Sequence, residues 1–110
     1  MQPVSKLCAD HLRVYADARG IKLKAAHAHE LVAAFFGYNS RAALLAEQAY
    51  PLDHLEDAQL LVPDILRMEQ RRACMQGLPM SLASSSDLAG ELVERLKAEG
   101  LFSGEVRNNG

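Results

Sequence analysis

Apolar residues recur at three- and four-residue steps along most of the chain, which is the spacing of amphipathic helices. From Leu7 to Ala16 they alternate in this way with charged residues, and Gly20 then supplies a left-handed stop. A second helix is predicted from Lys24 to Phe36. Apolar residues cover more than half of its circumference, so we expect it to be the most buried element.

A third, shorter helix is predicted after Gly37. The side-chain oxygen of Ser40 can accept the first unpaired N–H groups of a helix running from Arg41 to about Ala49. That helix should end before Pro51, because the residue preceding a proline is driven away from the α region. Two of its large apolar residues are expected to be buried together: Leu44 and Leu45.

The next segment begins with three acidic residues, Asp53, Glu56 and Asp57. Their charges would stabilise the positive N-terminal end of a helix, which Pro63 then interrupts. Proline suits the first turn of a new helix, predicted to run to about Gln76. The run Ser84-Ser85-Ser86-Asp87 caps a last helix, which Gly100 ends. The start of the remaining segment is expected to pack back onto the protein.

These elements predict an all-α protein with five or six short helices in one compact orthogonal bundle. The helix from Lys24 to Phe36 should be central. The expected core contains Leu31, Phe35, Phe36, Leu44 and Leu92. A length of 110 residues suits one domain, which we place at residues 1–107, with 108–110 as a frayed tail.

Composition and charge narrow the classes of function. A formal net charge of −2 means that the whole molecule is not attracted to polyanions, so nucleic-acid contact would need a local basic patch. No apolar stretch approaches the roughly 20 residues of a membrane span, and residues 1–6 lack the charge and apolar core of a signal peptide. We therefore expect a cytoplasmic location and no membrane partner.

Metal and catalytic chemistry have few candidates. Cys8 and His11 lie three residues apart and offer half of a metal site, but His27 and His29 cannot share a helix face, so no tetrahedron is completed. Cys8 and Cys74 are each expected to be buried, free and inert thiols. His27 is expected at the surface, and His29 near carboxylates. The sequence thus predicts no catalytic residue, no metal, no cofactor and no enzymatic activity.

The stretch around Gly37 resembles a helix-turn-helix. Ala33 lies four residues before the turn glycine, and Val32 and Phe36 flank it as apolar residues. The candidate DNA contacts are Asn39, Ser40, Arg41 and Gln48. Phosphate contacts could come from Lys22, Lys24, Arg67, Arg71 and Arg72. The Ala- and Leu-rich second helix departs from a recognition helix, so a tight helical hairpin is the favoured interpretation.

Residues Leu31 to Leu45 also resemble a helical segment of uncharacterised bacterial proteins and of some glyoxalase-superfamily proteins. The shared pattern is an apolar helix, Gly-Tyr or Gly-Phe, a serine, and a short Ala/Leu helix. It covers about a seventh of the chain, and the metal-binding βαβββ units of glyoxalases are absent. The resemblance implies a packing module and transfers no active site.

For function, the sequence favours a small cytosolic bacterial module that binds another protein, with a second copy of the chain as one candidate partner. Short helices and few aromatic residues leave apolar area to be covered. The alternatives are a helix-turn-helix-like DNA-binding regulator and an anionic inhibitor that occupies the nucleic-acid site of its partner. The net charge disfavours direct binding of nucleic acid.

Overall fold

The computed structural model describes residues 3–47 and 52–107, without the side chain of Asp53. The helices are α1 (Val4–Asp17), α2 (Ala25–Phe35), α3 (Arg41–Leu45), α4 (Ile65–Cys74) and α5 (Ser85–Ala98). A 3₁₀ segment, Leu52–Asp57, precedes α4, and the two-residue strands β1 (Leu60–Leu61) and β2 (Glu105–Val106) pair in parallel. The prediction of an all-α bundle is confirmed.

Glycines and serines set the helix ends where the sequence places them. Gly20 and Gly37 follow α1 and α2 with φ angles of 74° and 92°, in the left-handed region that favours glycine. The Ser40 hydroxyl accepts the Ala43 N–H at 3.1 Å and so caps α3. The Ser84 hydroxyl does the same for α5, accepting the Asp87 N–H at 3.1 Å.

The central position of α2 is confirmed. This helix packs against α1, α3 and α4, and Leu31 and Phe35 are completely buried, as an apolar circumference requires. Leu92 lies in the core as predicted, whereas Leu44 is buried but lies outside the main core cluster. Phe36 is only half-buried, because it is the last residue before the turn at Gly37. Its ring lies edge-on to Phe35, with centroids 4.9 Å apart, at the border of the core.

The expected burial of Leu45 is wrong. Leu45 is 63% exposed, whereas Leu44 is 6% exposed. Adjacent residues of a helix point about 100° apart, and α3 is too short for both to reach α2. The helix also ends at Leu45 and not near Ala49. The predicted stop at Pro51 lies outside the described residues, as does the predicted frayed tail 108–110.

The prediction of a helix between Asp53 and Pro63 is also wrong. The acidic segment forms a 3₁₀ turn that is bent at His54, and the chain then extends into β1. Leu61 is buried, while Leu60 and Val62 on either side of it are exposed. This alternation is that of a strand, in which successive side chains point to opposite faces.

The segment after α5 packs back as predicted, and it does so as a strand. Phe102 is buried and anchors the return of the chain. The Glu105 N–H donates to the Gln59 carbonyl at 2.8 Å, and the Arg107 N–H donates to the Leu61 carbonyl at 3.0 Å. Gly104 permits this approach, because a Cβ there would lie 2.5 Å from the Gln59 oxygen.

Candidate functional site

Most of the hairpin residues predicted to contact DNA make hydrogen bonds within the protein. Ser40 caps α3, and the Asn39 side-chain oxygen accepts a hydrogen bond from Arg67. The Arg41 backbone N–H donates to both oxygens of Glu30, at 3.3 and 3.4 Å. Only the Arg41 side chain is exposed and without a hydrogen bond or ion pair among the described residues. Gln48 lies outside them.

The arginines proposed as phosphate contacts are also engaged internally. Arg67 pairs with Asp64, the residue that caps α4, at 3.0 Å. Arg71 pairs with Glu30 at 3.5 Å and so joins α4 to α2. Arg72 donates to the Ala83 carbonyl at 2.8 Å and to the buried Ser85 hydroxyl at 3.3 Å. These three side chains link α4 to its neighbours. Lys22 and Lys24 are exposed.

A basic neighbourhood surrounds His29 at the junction of α1, α2 and α3. Partial burial lowers the pKa of His29, and the positive charge of Arg41 lowers it further. Lys6 and Arg13 act in the same direction, while Asp10 opposes them. Lys6 is paired with Asp10 at 2.9 Å, and the Arg13 Nε donates to the Leu23 carbonyl at 3.1 Å. The charge of Lys6 is therefore paired, and the Arg13 side chain is held by the backbone.

The cysteines and histidines do not form a reactive cluster. Burial raises the pKa of the Cys8 thiol to about 12, which keeps it protonated and unreactive. Cys74 is free but exposed, contrary to expectation, because it ends α4 on the outward face, opposite Met68. His11 contacts Glu91 of α5 at 3.2 Å instead of a metal partner. Within residues 3–47 and 52–107, no three His, Cys, Asp or Glu side chains are placed to hold a metal ion.

His27 is half-buried and not fully at the surface as predicted. Its Nδ1 atom is buried and has no hydrogen-bond partner among the described residues. A buried polar atom without a hydrogen-bond partner carries a desolvation cost, which the packing around α2 has to offset. His27 is thus part of the packing of α2.

A groove of about 800 Å³ lies between the second half of α1 and the connector that follows it. Its charged lining is balanced, with two cations and two anions: Arg13, Lys22, Asp10 and Asp17. Val14, which is 66% exposed, is one of its apolar residues. No nucleophile or metal-binding cluster accompanies it among the described residues, so the groove has no evident chemistry.

Three of the exposed large apolar side chains lie close together in sequence, between β1 and the first turn of α4. Leu60 is 45% exposed, Val62 40% and Leu66 66%, all within seven consecutive residues. We call these three residues the apolar edge. Exposed hydrophobic side chains that cluster in this way mark interaction surfaces more often than isolated ones do.

The backbone of the apolar edge is held firmly in place. Leu61 enters the core, and the Asp64 N–H donates to the Phe35 carbonyl at 3.1 Å, which ties the segment to the end of α2. Asp64 also caps α4 by accepting the Arg67 N–H at 3.0 Å. Binding at this surface would therefore require little ordering of the chain.

Sequence reasoning missed the apolar edge because it assigned Leu60 and Val62 to a helix. The signal that could have revealed it is the run Leu60-Leu61-Val62 before Pro63, since a short apolar run ended by a proline also suits a strand. The side chain of Leu66 lies on the face of α4 opposite the buried Met68. Its exposure follows from that placement.

No helix in the described parts of the chain is long and apolar enough to cross a bilayer. Comparison with known proteins finds no matching family model, no matching curated protein and no matching solved structure. The apolar edge is therefore identified from the contacts and exposure of this chain alone.

Proposed function

We propose that this chain is a small cytosolic bacterial protein without catalytic activity that binds another protein through the apolar edge. The observation that supports the proposal most is the exposure of three large apolar side chains within seven residues, Leu60, Val62 and Leu66, on a segment that a backbone hydrogen bond ties to the end of α2. Covering them with a partner would remove apolar area from water, which is the main favourable term in protein association.

The internal contacts of the basic residues support the same proposal. A DNA-binding protein presents its cationic and amide side chains to phosphates and bases. Here the side chains of Asn39, Arg67 and Arg71 are instead bonded to other residues of the protein. The inhibitor alternative, in which an anionic surface occupies a nucleic-acid site, would rest on the acidic 3₁₀ segment, where Glu56 and Asp57 are exposed.

The DNA-binding alternative has one observation in its favour, the exposed Arg41 side chain beside the basic neighbourhood of His29. We expect wild-type protein to show no retention of duplex DNA at low salt, where phosphate contacts are strongest. Retention that Arg41→Ala abolishes, with the melting temperature unchanged, would replace the proposed function by the regulator alternative.

Affinity capture tests the proposal with a matched pair of variants. Leu66 and Val14 are equally exposed, at 66%, but only Leu66 belongs to the apolar edge. Tagged wild-type protein and Val14→Glu should retain the same partner, or a second copy of the chain, whereas Leu66→Glu should lose it. Equal retention by both variants, or no retained protein together with a monomer at high concentration, would contradict the proposal.

A further inference from the structure

The groove beside α1 brings together side chains of three chemical kinds. Its lining includes the cations of Arg13 and Lys22, the carboxylate of Asp17, and the apolar side chains of Val14 and Ile21. Its volume of about 800 Å³ falls within the range of small-molecule sites, roughly 300–1,000 Å³. Binding, unlike catalysis, requires no nucleophile or metal ion, so such a lining can hold a ligand without forming an active site.

Arg13 and Asp17 lie one turn apart on α1 but do not pair with each other. An arginine that precedes an acid by four residues is the weaker order for a helical ion pair. The Arg13 Nε instead donates to the Leu23 carbonyl at 3.1 Å. Among the described residues, the two terminal nitrogens of Arg13 and the Asp17 carboxylate have no hydrogen bond or ion pair. A cation and an anion thus line one groove with their bonding capacity unused.

The remaining charged residues give the groove a small excess of positive charge. The Asp10 carboxylate is paired with the Lys6 ammonium at 2.9 Å. Lys22 is exposed, and its ammonium has no partner within the described parts of the chain. Arg13, Lys22 and Asp17 are therefore the charges available to a ligand. A ligand with both a carboxylate and an ammonium group suits them, whereas a simple anion would face Asp17 and a simple cation would face both basic groups.

The backbone beside these side chains is fixed by its own hydrogen bonds. Gly20, with a φ angle of 74°, follows the end of α1, and its N–H donates to the Asp17 carbonyl at 2.9 Å. The Ile21 N–H donates to the Ala16 carbonyl at 3.0 Å, and Leu23 is buried in the core. Since the chain itself forms these contacts, binding would require little ordering of the connector.

We propose that this groove binds a free α-amino acid with an aliphatic side chain. The carboxylate of the ligand pairs with the Arg13 guanidinium and the Lys22 ammonium, both of which are strong donors to carboxylates. The ammonium group of the ligand pairs with the Asp17 carboxylate. Its side chain covers Val14, which is 66% exposed, and Ile21, and so removes apolar area from water.

The proposed ligand site and the apolar edge are independent of each other. The groove is formed by α1 and the connector before α2, whereas the apolar edge belongs to β1 and the start of α4. A small ligand in an exposed groove buries little area, so we expect a dissociation constant on the order of 1 mM.

Matched ligands test which chemical groups are recognised. L-Leucine carries the carboxylate, the ammonium and the aliphatic chain, whereas isocaproate lacks the ammonium, isoamylamine lacks the carboxylate, and glycine lacks the chain. In an NMR titration of the isotope-labelled protein, L-leucine should shift the backbone amide signals of Gly20, Ile21 and Lys22 saturably. Each of the three partial ligands should bind at least about fivefold more weakly.

Substitutions in the lining test the orientation of the ligand. Asp17→Asn should weaken L-leucine binding about tenfold and should not weaken isocaproate, because only the ammonium group contacts Asp17. Lys22→Gln should weaken the binding of both compounds. Lys24→Gln is the matched control and should bind L-leucine like the wild type, since Lys24 is also exposed but does not line the groove. Circular dichroism checks that each variant is folded.

Three results would overturn the proposal. The first is no saturable shift with L-leucine up to about 20 mM. The second is equal weakening by Lys22→Gln and Lys24→Gln, and the third is isocaproate binding as tightly as L-leucine, which would show that the ammonium is not recognised. Leu66→Glu should bind L-leucine like the wild type, so failure of the ligand site and failure of the apolar edge can be told apart.

Discussion

Two neighbouring leucines of α3 differ in exposure and therefore in their expected contribution to stability. Leu44 is buried, although it lies outside the main core cluster, and Leu45 is mostly exposed. Leu44→Ala should lower the free energy of unfolding by roughly 2–5 kcal/mol by leaving a cavity. Leu45→Ala should change it by less than about 0.5 kcal/mol, as surface substitutions do. Denaturant unfolding of both variants checks this, and equal losses would contradict the burial of Leu44 alone.

The hydroxyl of Tyr38 is expected to lose its proton only at an unusually high pH. Burial raises its pKa to about 12, and its hydroxyl donates to Glu47 at 2.7 Å, which further disfavours the phenolate. A raised pKa in the folded state adds stability below the usual pKa near 10, and that stability is lost as the pH rises from 10 towards 12. An ultraviolet absorbance titration should show one tyrosine ionising near pH 12. The Tyr38→Phe variant should lack this step, and the Tyr15→Phe variant should keep it. Loss of the step in Tyr15→Phe would contradict the assignment.

At the scale of elements, pairing of β1 with β2 depends on a glycine. A Cβ at Gly104 would lie 2.5 Å from the backbone oxygen of Gln59, which cannot move aside without separating the strands. We expect Gly104→Ala to destabilise the protein by about 1–3 kcal/mol, the usual cost of overpacking.

Gly90 provides the control for this substitution. It lies within α5 and is exposed, and a Cβ there meets nothing within 4 Å. Gly90→Ala should therefore stabilise the protein by about 0.5–1 kcal/mol through helix propensity. Melting temperatures that move in opposite directions for the two variants are the expected result. A neutral Gly104→Ala would show that the strands tolerate separation.

The helices were predictable from sequence where local chemistry sets their ends. Gly20, Gly37, Ser40 and Ser84 act through their own backbone or hydroxyl groups, so no tertiary information is needed. The strands were not predictable in this way, because two residues cannot display a period of two. Parallel pairing also joins residues some 45 positions apart in the chain, such as Leu60 and Glu105.

The candidate site was less predictable than the fold. Which leucine of a pair faces solvent depends on where neighbouring helices lie, as Leu44 and Leu45 show. The same is true of the basic residues, since the partner of Arg71 lies 41 residues away in sequence and those of Arg72 lie 10 to 13 residues away. Local pattern therefore predicts where cations occur, but not whether they are already paired.

At the scale of the whole molecule, some of the described charges join different helices, while the apolar edge is left exposed. Glu30 joins α2 to the start of α3 and to Arg71 of α4, while Arg72 ties α4 to the start of α5. These contacts make Arg71 and Arg72 less available to a polyanion, while Lys22, Lys24 and the Arg41 side chain stay exposed.

Site-specific photo-crosslinking tests most directly whether the apolar edge is the interaction surface. A photoreactive residue at Leu66 should give a discrete adduct with a second polypeptide, whether another protein or a second copy, in cells that express the chain. The same residue at the equally exposed Val14 should give none. Adducts of equal yield at both positions, or an adduct at Val14 alone, would contradict the account.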